Sequence, residues 1–133
     1  MSKRMSKGEI QESLGVLNPV GHAMLAFADD SIAADAAAAL KQSGFTDQDI
    51  LTYTSAELFP NLDEMMRHAS GAAGFGYEIT LMRRYQELAR EGAGWLLVFA
   101  PDDAKTDKVA EIAQRFNAMA AEKYHRLVVE DLL

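Results

Sequence analysis

A glycine-broken segment offers the first opening for chemistry in this chain. Gly71-Ala-Ala-Gly-Phe-Gly76 runs directly into a helical pattern. Backbone N–H groups at a helix start can cradle an anion, helped by the helix dipole. Arg67 and His68 stand before the segment, and Arg83 and Arg84 after it. Arg67, His68, Gly74, Gly76, Tyr77 and Arg83 therefore form the candidate ligand site, suited to a small anion. The known phosphate loops are not matched. A dinucleotide fingerprint needs a strand before its glycines, and a P-loop needs Lys-Ser or Lys-Thr after them. Here a helix precedes and no such pair follows. The plainer meaning of the glycines is a kink or a close helix contact.

Other reactive residue types are present without the spacing that would use them. His22, His68 and His125 are scattered, with no second histidine at i+2 or i+4, so no metal site is expected. There is no cysteine, which removes disulfides, thiolate ligands and thiol catalysis. Serine, aspartate and histidine occur outside any nucleophile-elbow pattern. Asp29-Asp30 and Asp102-Asp103 look like paired carboxylates. Each pair directly precedes a helical pattern, where an aspartate caps free backbone N–H groups. No catalytic residue, metal or cofactor is assigned.

Charge narrows the partners. Thirteen basic and twenty acidic residues in 133 give a net charge of −7. Nucleic acid demands a clustered basic face, and none is seen, so no nucleic-acid partner is expected. No apolar run reaches the ~20 residues of a membrane span. The basic start Met1–Lys7 is not followed by the apolar core of a signal peptide. The expectation is a cytoplasmic protein with no membrane partner.

The elements that must hold any site follow from periodicity. Residues 1–20 read as an N-terminal arm, where Ile10, Leu14 and Leu17 have the spacing of a short helix. Residues 21–133 read as a single α+β domain. His22–Ala28 is an apolar strand, followed by an Ala-rich helix that stops at Ser43-Gly44. Ile50–Thr54 is a second strand. Pro60 stops any helix begun at Ser55, and Asn61 with Glu64 forms a capping box for the next. Tyr77, Leu81, Tyr85 and Leu88 make one stripe of a longer helix, with Arg83, Glu87 and Arg90 opposite. Trp95–Ala100 is an apolar third strand. A helix carrying Val109, Ile112, Ala113, Phe116, Met119 and Ala120 leads to a fourth strand at Leu127–Val129.

The order β-α-β, helical insertion, β-α-β predicts a ferredoxin-like sandwich with a helical insertion between strands two and three. A doubly wound sheet usually has glycine in its first β-to-α turn, where this chain has Asp29-Asp30-Ser31. Trp95 and Phe99 share one strand face. If that face is open, a homodimer is expected through it; the middle helix could cover it instead.

Asp29 to Phe45, with its acidic turn, Ala-rich helix and Gly-aromatic step, and Thr46-Asp-Gln-Asp-Ile-Leu51 resemble the bacterial heat-induced general stress protein family. So do Ala69–Gly76 and Ala121–Leu132. The middle departs from that pattern in its charged amphipathic helix, Tyr77–Glu91. The resemblance implies a fold and a stress association, and transfers no active site. The leading expectation is a non-enzymatic stress-associated or regulatory module that binds a partner or small ligand. The alternative is a small cofactor-independent enzyme of the dimeric α/β-barrel type, using His22, His68, Tyr77 and Arg83 in a pocket on one sheet face.

Overall fold

Strand β1, His22–Phe27, is buried at every position, because both its edges are paired and both its faces are covered. The computed structural model describes residues 4, 20–59, 76–125 and 129–133. After β1 come α1 (Asp30–Gln42), β2 (Ile50–Thr54), α2 (Ser55–Leu58), α3 (Gly76–Arg90), β3 (Gly94–Phe99), α4 (Asp103–Arg115), β4 (Ala120–Tyr124) and β5 (Val129–Asp131). The strands form one antiparallel sheet in the order β2-β3-β1-β4-β5.

The fold is α+β, as expected, but the sheet departs from the four-strand sandwich in two ways. It has a fifth strand at the β4 edge, and helices lie on both faces. Alternation along the strands explains the second point, since successive side chains point to opposite layers. Ala23, Leu25, Phe27, Leu96 and Val98 meet Ala36 and Leu40 of α1 and Val109 and Ile112 of α4. Met24, Tyr53, Trp95 and Leu97 meet Leu58 of α2 and Leu81, Tyr85 and Leu88 of α3.

The face at Trp95 is therefore closed within one chain, by the middle helix that the sequence offered as its cover. Trp95 is fully buried, edge-on to Phe59 and Tyr85 with ring centroids 5.0 and 5.3 Å away. Its indole N–H donates to Ser55 Oγ at 2.8 Å, and Ser55 Oγ donates to the Ala93 carbonyl at 2.7 Å. The polar edge of the ring is satisfied as it is buried. Phe99, at the other end of β3, is half-buried against the His22 ring, 5.0 Å away. Helix α3, with α2, is the layer that buries Trp95.

The end of the chain also differs from the periodic reading. Helix α4 stops at Arg115 and not at Ala120. Asn117 takes a left-handed conformation, φ 56°, which asparagine tolerates better than most residues. Ala118 N–H then returns to the Ala113 carbonyl and Met119 N–H donates to the Ala26 carbonyl. The fourth strand is Ala120–Tyr124, placed before the expected Leu127–Val129. Val129 instead opens β5.

Both crossover helices start as the aspartate pairs predict. Asp29 Oδ1 accepts from Ile32 N–H at 2.9 Å, and Asp102 Oδ1 accepts from Lys105 N–H at 2.8 Å. Asp29→Ala and Asp102→Ala are each expected to lower stability by about 1 kcal/mol. The caps lie at opposite ends of the antiparallel β1–β3 pair, so the double variant should lose the sum. Urea denaturation of the three variants checks this, and a double-variant loss no larger than either single loss would contradict it.

Candidate functional site

Strand β4, Ala120-Ala-Glu-Lys-Tyr124, puts two adjacent ionisable side chains into opposite layers. Lys123 is 4% exposed and Glu122 7%. Neighbouring strand residues face opposite ways, so each is buried among different partners.

Lys123 faces the α1–α4 layer and is held by acceptors. Its Nζ donates to the Ala100 carbonyl at 2.6 Å and to Thr106 Oγ1 at 2.8 Å. Thr106 Oγ1 donates to the Asp102 carbonyl at 2.9 Å. Burial pulls the ammonium below its ordinary range, against the support of Glu130, Asp103 and Asp102. These bonds tie β4 to the first turn of α4, a positioning role for the strand.

Glu122 faces the α3 layer, and its surroundings are different. Its register partner on β1 is Met24, and on β5 it is Asp131. Tyr124, two residues along the same face, shares a 3.0 Å hydroxyl contact with Tyr85 of α3. Arg84, also on α3, donates from Nη2 to the Met119 carbonyl at 2.9 Å. Glu122 Oε2 is buried with no hydrogen-bond partner among the described residues. Burial and then the charge of Asp131 push the carboxyl up to about 7, against a weaker downward pull from Arg84. A carboxyl in that range exchanges its proton near neutrality.

The sequence-predicted site residues fall partly on described and partly on other positions. Arg67, His68 and Gly74 lie outside the described residues. Gly76 opens α3 and Tyr77 follows in its first turn. Arg83 is exposed on α3. His22 is buried on the sheet, with Nδ1 3.1 Å from the Val20 carbonyl. Among the described residues, no group of three or more His, Asp or Glu side chains is arranged to hold a metal ion.

Arg4, near the start of the arm, reaches the domain on another side. Its guanidinium lies 3.2 Å from Asp49 and donates to Gln48 at 2.8 Å. Burial raises the Asp49 carboxyl, but the bonds from Thr46 and Arg4 outweigh it and leave the group below its ordinary range.

Sequence spacing places Tyr85 only in a helix stripe and does not single out Glu122, Tyr124 or Asp131, because a helical period running to Ala120 hides β4. The available signal was a Glu-Lys pair after a helix-stopping asparagine, inside a segment short enough for a strand. Among the described residues, no helix is long and apolar enough to cross a membrane. Comparison with protein-family models, with curated proteins and with solved structures gives no match.

Proposed function

We propose that the protein is a non-enzymatic module that binds a small ligand between α3 and the β4 side of the sheet. The observation that carries this reading is Glu122, a residue 7% exposed whose Oε2 is buried without a described partner. Such a group is costly to keep, and a ligand that bonds to it offsets the cost. Thermal denaturation against panels of small cations, anions and neutral molecules tests the reading. A true ligand at about 100 times its Kd adds roughly 2.7 kcal/mol and protects α3 and β4 from amide exchange. If no compound protects these two elements, the reading fails.

A second reading, a cofactor-independent acid–base enzyme on the same face, is favoured by the Glu122 carboxyl near 7 on the face that also carries the paired Tyr85 and Tyr124 hydroxyls. Conversion of a bound compound, lost in Glu122→Gln, would select it over simple binding.

The broader setting belongs to the same proposal. The frame is read as ferredoxin-like, supported by β3 lying between β1 and β2 with α1 and α4 on one face; β5, α2 and α3 are additions to it. Likeness to the stress-protein family supports a stress or regulatory role, and the lack of cysteine accords with a cytoplasmic setting. Self-association through the Trp95–Phe99 face is left to its Phe99 end, because Trp95 is buried. A dimer in sedimentation that Phe99→Ser dissolves would support it.

A further inference from the structure

Glu122 and Asp131 are direct cross-strand partners in the β4–β5 pair, so their side chains project from the same face of the sheet. Like charges placed directly opposite are unfavourable, and here one of the two is buried. The cationic side chain of α3 that acts on Glu122 is Arg84, and its Nη2 is engaged by the Met119 carbonyl. Among the described residues, Asp131 on β5 and Met24 on β1 are the register partners of Glu122, Arg84 of α3 acts on its charge, and Tyr124, bonded to Tyr85, and His22 lie further along the same face. Among the described residues, two carboxylates, Glu122 and Asp131, stand against one cation that acts on Glu122, Arg84.

Within the ligand-binding reading above, on which this rests, we infer that the ligand is a small organic cation. Its ammonium group sits between Glu122 Oε2 and the Asp131 carboxylate, and its carbon body extends outward past the exposed Asp131. Each part of such a ligand has a counterpart here. An ammonium donates to the carboxylate oxygen that has no described partner and relieves the Glu122–Asp131 repulsion. The alkyl part projects past Asp131, which is exposed at the sheet edge. A divalent metal fits less well, because calcium takes six or more oxygen ligands and two carboxylates supply too few. The excess of acidic residues over the whole chain draws cations in the same sense.

The full chain is titrated calorimetrically with n-butylamine and benzylamine, and with butanoate as the anionic counterpart, at about pH 6 and pH 8. Both amines stay protonated throughout, so pH acts through the protein. An ammonium pairs with ionised Glu122, and its affinity should be about tenfold weaker at the lower pH. Glu122→Gln should weaken binding at least about tenfold and abolish the pH dependence, while Asp131→Asn weakens it severalfold. Circular dichroism of each variant verifies folding. Amine binding that is unchanged in Glu122→Gln overturns the inference, as does butanoate binding more tightly than the amines. In the butanoate case the ligand-binding reading survives; if none of the probes and no compound of the wider panels binds, both fall.

Discussion

Glu122→Gln is expected to stabilise the protein above neutrality and to flatten its dependence on pH. The folded chain holds the Glu122 proton up to about pH 7, whereas the ordinary value is 4.5. Below that ordinary value the carboxyl is neutral in both states and costs nothing extra. As pH rises from 4.5 to about 7, the unfolded chain ionises freely while the folded one resists. Stability therefore falls across that window, by about 3 kcal/mol, and stays lowered above it. Glutamine keeps the shape and cannot ionise. The variant should exceed the wild-type protein by about 2–3 kcal/mol at about pH 8 and match it near pH 4. Urea midpoints at the two pH values measure this. A constant difference between the proteins at both would mean that Glu122 is not the titrating group.

The second large effect is expected at Gly94→Ala, where the fold is lost or weakened by at least about 3 kcal/mol. A Cβ at this position would lie 2.5 Å from the Asp29 carbonyl oxygen and 2.7 Å from Asp30 Cα. Both are backbone atoms, so no side chain can turn aside. The close approach follows from the sheet order. Helix α1 carries the chain from β1 to β2, and β3 lies between them, so the start of α1 must pass over the first residue of β3. Thermal unfolding and expression of soluble protein read the result. A variant within about 0.5 kcal/mol of wild type would show that α1 can lift away from β3.

Local chemistry was legible in the residues; what depended on pairing was not. The Asp29 and Asp102 caps, the glycine stop after α1 and the Leu81-Tyr85-Leu88 stripe arise within one or two turns of chain, and the structure has them where spacing puts them. The β4 segment failed for a physical reason. Ala120-Ala-Glu-Lys-Tyr124 has weak strand propensity and becomes a strand because β1 supplies its partner, with Leu25 opposite Ala121. Its burial of Glu122 and Lys123 follows from layers built by α3 and α4, far away in sequence. The cover over Trp95 was undecidable for the same reason: the Tyr77–Glu91 stripe identifies a buried helix face without naming the surface that buries it. The carboxylate site appears only when β5 sets Asp131 beside Glu122.

The position of β3 has a consequence for synthesis. A nascent chain that has emerged only as far as Arg90 contains β1 and β2, yet every described strand partner of either lies further on: β3 for both, β4 for β1. Until Gly94–Phe99 leaves the ribosome, β1 and β2 are left with unpaired hydrogen-bonding edges, and such edges favour association with other chains. Closing the sheet then requires loops that span much of the sequence, which slows the step relative to local helix formation. The last third of the chain thus sets the time at which the first two-thirds can fold.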